Sequence, residues 1–454
     1  MGSSVNVVEH GGPSAGSGTT DNRTAGVLRL AGREYTQTIS NSATSTAAAN
    51  MQGGWWQELQ MDRGECTDLR VVAAGHYLQG GSGLVNLAKN YTYKISIFVL
   101  FREGLLVAPT AVIWSGSSTV TLTPGLAPVE SDNWCATNRN IPDGARVFAY
   151  YDLVTPTSGI ITIHTHSGIG NNSAIPYAVR NYSYPSTPPK DIYSQYCGLV
   201  DTTGGTSVSS TPVGILGIVT KHTYDYSSAF MMGHSRVAGD TAGADITNDK
   251  VNGRSAIWRV LSDYAVPIHA HCVGGCTLNT LVNSMSNNAY YMTKYCTDAF
   301  VMCIVNDVNA GRTLAQIQAD FATAITRLRA ANSTIRIWWI TEYPETDDSA
   351  GNWLSPATQT PRGGDSAKWG VGGILDQANA WLLTRVGIEL HAVLDPRVIF
   401  ESGGPGASMK WAAGSATQQY TKEGVHLNDV GSLVEAAYYR TELLSKGFIP
   451  NNVR

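Results

Sequence analysis

Five residues spread over four stretches of the chain have the types that acyl transfer needs: Ser235, Gly275, Asn306, Glu423 and His426. A serine hydroxyl attacks a carbonyl when a histidine takes its proton and later returns it to the leaving alcohol. An acid on the other ring nitrogen holds the tautomer and stabilises the imidazolium. Glu423 lies three residues before His426, across a turn that contains Gly424. The tetrahedral oxyanion needs donors, and the amides of Ser235 and Gly275 with the side-chain NH2 of Asn306 supply three candidates. Losing one such donor costs about 3–4 kcal/mol of transition-state stabilisation. Singly, each residue has a plainer use: Ser235 as a helix cap, His426 as a surface histidine, Gly275 and Asn306 as turn residues.

What raises the five above those uses is where they fall. The run Ala229–Met232 is apolar, breaks at Gly233 and is followed by His234 and Ser235. Gly275 follows the strand expected over Val266–Val273, and Asn306 the apolar run Ala299–Val305. Glu423–Asp429 (EGVHLND) precedes the helix expected over Gly431–Leu444. Open α/β sheets place their ligands at the carboxyl ends of the strands.

The elements that must hold these residues change in texture along the chain. Residues 1–50 are rich in Gly, Ser, Thr, Asn and Ala and read as a flexible N-terminal arm, either a free tail or a segment that orders only against a partner in homo-oligomer or virion assembly. Residues 51–205 carry short runs rich in β-branched and aromatic residues: Leu69–Ala74, Tyr91–Leu100, Thr110–Ile113, Thr119–Leu122, Ala145–Leu153 and Gly159–His164. They predict an antiparallel, jelly-roll-like β-sandwich, with a carbohydrate-binding or assembly role. Residues 206–454 alternate apolar strands with helical patterns. Ser255–Tyr264, Leu314–Leu328 and Ile374–Val386 are expected helices; Thr334–Ile340, Glu389–Leu394 and Val398–Phe400 are expected strands. That alternation implies an α/β domain with a mostly parallel sheet. Residues 344–373 lack periodicity and read as a long loop at the site's edge, serving as a lid or substrate wall. Its Trp353 and Trp369 are candidates to stack on sugar rings, or equally to pin the loop to the body.

The chain of 454 residues is 43% hydrophobic and 15% charged, with a formal net charge of −4. It has no Lys/Arg cluster, which argues against a nucleic-acid partner. Its longest apolar run, Ile95–Phe101, is too short to insert in a membrane. The first residues lack the basic stretch and apolar core of a secretory leader. The expectation is a protein that stays inside, has lost its leader, or leaves the cell with a larger particle. Seven cysteines are an odd number, and Cys272 and Cys276 read as buried thiols. His164 and His166 share a strand face with no third ligand nearby, and His269 and His271 read as packed polar residues. Neither a metal nor a cofactor is expected.

The four stretches resemble the four sequence blocks of the SGNH (GDSL-type) hydrolases: Gly-Asp-Ser, a block-two Gly, Gly-x-Asn-Asp and Asp-x-x-His. Order and spacing match over Ala229–Leu444, and Thr123–Tyr151 resembles the β-rich domain that precedes this fold in some GDSL-like esterases. The resemblance implies a flavodoxin-like three-layer α/β/α domain and a cofactor-free esterase, often acting on an acetylated sugar. The substrate expected is an acylated poly- or oligosaccharide. Three positions depart from the pattern: His234 stands in place of the Asp before the nucleophile, Ile304 in place of a Gly, and Glu423 in place of the last-block Asp. The rival expectation is an SGNH-like structural or receptor-binding protein without catalysis.

Overall fold

The computed structural model describes most of residues 64–154, residues 215–238 and nearly all of 255–451, with short strands at 29–30, 35–36, 44–46, 51–57, 160–162, 180–183 and 206–208. His164, His166, Cys197 and most of residues 1–50 lie outside the described residues.

The site is built on a six-stranded sheet in which every pairing is parallel. Its strands run in the order Tyr35–Thr36, Ile268–Cys272, Ala229–Gly233, Asp298–Met302, Arg336–Ile340 and Ala392–Leu394. All five residues of Ala229–Gly233, Ile268–Cys272, Asp298–Met302 and Arg336–Ile340 are buried, because both faces of the sheet are covered. Phe230, Met232, Ala299, Val301, Ile337 and Trp339 face one apolar cluster. Ala229, Met231, Phe300, Met302, Trp338 and Ile340 face the other. Strand Ala229–Gly233 thus has the next two strands in sequence on either side. At such a switch point open α/β sheets place their ligands at the carboxyl edge.

The clearest helical period in the sequence becomes helix Leu314–Ala331, whose Ile317, Phe321, Ala324, Ile325 and Leu328 are buried. It starts at a capping box: the Gln316 amide donates to Thr313 Oγ1 at 3.3 Å, and the Thr313 amide to Gln316 Oε1 at 2.9 Å. Such a cap is worth about 1 kcal/mol. Helices Ala256–Asp263, Ile374–Leu383 and Asp429–Ser445 lie where the pattern predicts them. Two expectations are corrected. Val398–Phe400 belongs to a helical turn, Arg397–Phe400, not a strand. Residues 344–373 hold an antiparallel pair, Thr346–Asp348 with Gln359–Pro361, and a short helix, Ser366–Trp369.

Two antiparallel sheets precede this unit. In one, Cys66–Ala73 lies between Ile215–His222 and Val129–Glu130; the other is centred on Tyr91–Leu100, Arg146–Val154 and Met51–Gln57. Leu69, Val71 and Ala73 share a core with Tyr91, Tyr93, Ile95, Ile97 and Val99 of the second sheet. Val72, Ala74, Leu216 and Val219 point the other way, into the cluster beneath Phe230 and Met232. Strands Thr206–Val208 and Ile215–His222 come after the expected 205/206 division yet pair in these antiparallel sheets. Among the described residues no helix is long and apolar enough to cross a membrane.

Candidate active site

Ser235 opens a four-residue helical turn directly after strand Ala229–Gly233. Gly233 is required there by close approach: a Cβ would lie 2.5 Å from the Met302 carbonyl and 2.8 Å from Val237. The chain therefore leaves the sheet tightly against its neighbour and presents Ser235, half-buried, at the edge.

The structure brings Ser235, His426 and Glu423 into one hydrogen-bonded line. His426 Nε2 lies 2.9 Å from Ser235 Oγ, and His426 Nδ1 bonds Glu423 Oε1. The same Glu423 oxygen accepts the His426 backbone amide at 3.1 Å, so acid and histidine are clasped within one loop. With Nδ1–H given to Glu423, Nε2 is left to accept the serine proton. The Glu423 side chain is 46% exposed and that of His426 22%. This acid faces water.

The loop that carries them is held from below. The Gly424 carbonyl accepts Trp411 Nε1 at 3.0 Å and the Thr346 amide at 3.2 Å. Thr421 Oγ1 donates to the His426 carbonyl at 2.7 Å and accepts the Gly424 amide at 3.0 Å. Trp353 packs under Gly424 and donates from Nε1 to Thr346 Oγ1 at 3.1 Å. Trp353 is 9% exposed and Trp369 only 2%, each within an apolar cluster. Neither ring offers a free face to a sugar, so the stacking expectation is withdrawn. They anchor residues 344–373, and Trp353 supports the Glu423–His426 loop.

Asn306 lies in the first turn of helix Val305–Asn309, and its Nδ2 donates to the Cys276 carbonyl at 3.0 Å. One hydrogen of the amide is thereby fixed and the other left over. Gly275, exposed in the adjoining turn, has a φ of +73° that favours glycine. Asp307 ties the same two segments together, accepting the Leu278 amide at 2.6 Å and the Asn279 amide at 3.1 Å. Burial raises its carboxyl to about 6 despite those bonds. Cys272 and Cys276 are both buried. Among the described residues no group of three His, Cys, Asp or Glu is placed to hold a metal.

Behind Ser235 lies a buried network not foreseen in the sequence. His234 Nε2 bonds Glu342 Oε1 at 2.8 Å, and a guanidinium nitrogen of Arg236 donates to Glu342 Oε2 at 3.1 Å. Arg236 also reaches Glu345 at 2.9 Å, and Arg362 donates to Glu345 at 2.7 Å. Burial pushes the Glu342 carboxyl up, but the hydrogen bonds from His234 and the Ile304 amide and the charge of Arg236 hold it below its ordinary value. Ile304, fully buried, meets Glu342 through its backbone amide at 2.9 Å. The sequence signal was a carboxylate two residues past an apolar strand, which by itself reads as a loop residue.

No family model matches this sequence, and no curated protein matches it. Among solved structures, the chain is similar to a GDSL-like lipase from Bacteroides thetaiotaomicron (12% identity, TM-score 0.31, covering 48% of this chain and 88% of that one). It is also similar to a family two carbohydrate esterase from Clostridium thermocellum in complex with cellohexaose (9%, TM-score 0.34, 93% and 100%). A third is a salicylyl-acyltransferase from a tetracycline biosynthetic pathway (10%, TM-score 0.31, 84% and 82%). Identities and TM-scores this low leave the chemistry to be argued from the side chains.

Proposed function

We propose that the protein is a serine esterase of the SGNH type that removes acyl groups, chiefly acetyl, from a carbohydrate. The observation that carries this reading is the unbroken line Glu423–His426–Ser235, with Ser235 Oγ 2.9 Å from His426 Nε2. Ser235 Oγ attacks the ester carbonyl as its proton passes to His426 Nε2. The oxyanion takes hydrogen bonds from the Ser235 and Gly275 amides and the remaining Asn306 N–H. Collapse breaks the ester bond, the sugar hydroxyl leaves with the proton from His426, and an acyl-serine remains. Water then attacks the acyl-serine, giving its proton to His426, which returns it to Ser235 as the acid departs. Glu423 stabilises the imidazolium in both halves. The two antiparallel sheets form a β-sandwich that positions a polymeric substrate.

Substrate class rests on the family resemblance and is tested directly: acetate released from acetylated polysaccharide, and p-nitrophenol from p-nitrophenyl acetate, by wild type, Ser235→Ala and His426→Ala. Both variants are expected to lose turnover while keeping the wild-type melting temperature. Equal rates for wild type and Ser235→Ala would leave the non-catalytic, receptor-binding role instead.

A further inference from the structure

The segments that carry Ser235 and Asn306 converge on a residue that touches no reacting atom. Glu342 is fully buried, and its carboxylate accepts His234 Nε2 at 2.8 Å, the Ile304 and Val305 amides at 2.9 and 3.4 Å, and Arg236 at 3.1 Å. Its backbone is fixed by Asn379, which accepts the Glu342 amide at 2.9 Å and donates to its carbonyl at 3.0 Å. His234 is buried as well, and its Nδ1 accepts the Arg236 amide at 3.3 Å. One ring nitrogen therefore donates and the other accepts: the imidazole is neutral, with its proton on Nε2. In the other tautomer Nδ1–H would face the Arg236 N–H, and Nε2 would bring a lone pair to a carboxylate.

We propose that Glu342 is a positioning residue for the esterase reaction. It fixes the Nε2–H tautomer that lets His234 cap the turn opening at Ser235, and it locks that turn to the segment bearing Asn306. The inference rests on the esterase reading of Ser235. It also accounts for the departure at position 234. An Asp before the serine has side-chain oxygens to accept the amide two residues on, whichever way it is turned. A histidine does so in one tautomer only, and Glu342 selects it. Charge is matched around the pair, since Glu342 and Glu345 face Arg236 and Arg362.

Glu342→Gln tests this. Turned either way, the new amide brings an N–H2 against His234 and two backbone amides, or against Arg236, so a donor meets a donor. The kcat on p-nitrophenyl acetate is expected to fall at least about tenfold with KM held within about threefold. Adding His234→Asn to Glu342→Gln supplies an oxygen that caps the Arg236 amide without choosing a tautomer, and is expected to recover most of that loss. A glutamate that only supports the fold gives no such recovery. Histidine side-chain 15N spectra near neutral pH, with His234 assigned by His234→Asn, are expected to show Nε2 protonated and Nδ1 bare in the wild type. The proposal is overturned by wild-type kcat in folded Glu342→Gln, by a double variant no better than the single, or by an Nδ1–H tautomer of His234. Should Glu342→Gln fail to fold, the wild-type spectrum decides alone. Failure of the esterase reading is distinguishable: the wild type would neither turn over ester nor be labelled at Ser235 by a fluorophosphonate, while the spectrum would still report the tautomer.

Discussion

Replacing Gly424 by alanine is the sharpest probe of how the Glu423–His426 loop is held. Gly424 has a φ of +75°, and a Cβ built there would lie 1.9 Å from the Thr346 carbonyl oxygen and 2.8 Å from Trp353 Nε1. Left-handed backbone costs an L-residue about 1–2 kcal/mol, which lowers stability without touching chemistry. The clash is a separate effect. Real Cβ contacts essentially never fall under 3.0 Å, so loop and hairpin must part by about 1 Å. Glu423 and His426 sit one and two residues either side, and a displacement of about 1 Å in reacting groups costs on the order of 100-fold in rate. Gly424→Ala is therefore expected to lower kcat on p-nitrophenyl acetate about 100-fold, alongside a modest fall in melting temperature. Gly387→Ala is the control. Its φ of +76° imposes the same strain, but nothing lies within 4 Å of the new Cβ, so it should destabilise and leave kcat alone. Retention of kcat within about threefold by Gly424→Ala, a change of under about 1 kcal/mol, would refute the claim that this loop is registered by Thr346 and Trp353.

Three further outcomes follow from charge and burial. Glu423→Gln keeps an oxygen for His426 Nδ1–H and removes only the charge. Because the acid is 46% exposed, the loss in kcat should be about tenfold, far short of the ~10,000-fold typical of a buried triad acid; steady-state kinetics in low and high salt check it. Glu435 is buried, accepts the hydroxyls of Tyr343 and Tyr439, and is raised by burial from its ordinary 4.5 to about 7. Between those values the unfolded chain has lost a proton the folded protein keeps, so stability falls as pH rises through the window, by about 3 kcal/mol in all. Glu435→Gln should match wild type in urea denaturation at pH 4.5 and exceed it at pH 8; equal gains at both would count against a buried charge. His76 and His269 run the other way, lowered by burial from 6.5 to about 4 and about 3. They stay neutral when folded and charge on unfolding, so their contribution is complete above pH 6.5 and lost as pH falls. His76→Gln should reduce the slope of stability against pH between 6.5 and 5 by about 1 kcal/mol per pH unit.

What the sequence disclosed and what it hid divide along local and non-local lines. The strands under Ser235, Gly275 and Asn306 were legible because doubly buried parallel strands are unbroken apolar runs, and helix Leu314–Ala331 because its period persists over several turns. Val398–Phe400 is too short for a period of 2 to be told from 3.6, and Pro396 just before it starts a helical turn. The hairpin Thr346–Asp348/Gln359–Pro361 is polar and short, so nothing in composition marked it. Strand Ile215–His222 is apolar on both faces, since it packs against antiparallel neighbours on one side and the parallel sheet on the other. Its pairing with Cys66–Ala73, about 150 residues away, leaves no local trace. The serine, histidine and acid were found as an ordered set. Glu342 was not, because its partners at 234, 236 and 304 belong to other segments and only the fold assembles them.

Two carboxylate–histidine pairs flank Ser235, and their surroundings are opposite for a physical reason. In the proposed reaction His426 gains and loses a proton in each half. Its partner Glu423 is half exposed, so water shares in stabilising a charge that comes and goes. His234 and Glu342 are fully enclosed, where a charge appearing without a partner costs several kcal/mol. That pair suits a static role: the Glu342 charge is met by Arg236, and His234 Nδ1 accepts the Arg236 amide. A buried Asp in place of His234 would set a second carboxylate against Glu342. Position 234 and position 342 are therefore linked choices. The histidine that looks like a defect in the nucleophile motif is the residue compatible with a buried glutamate behind it, and the half-exposed Glu423 is compatible with a histidine that must change charge.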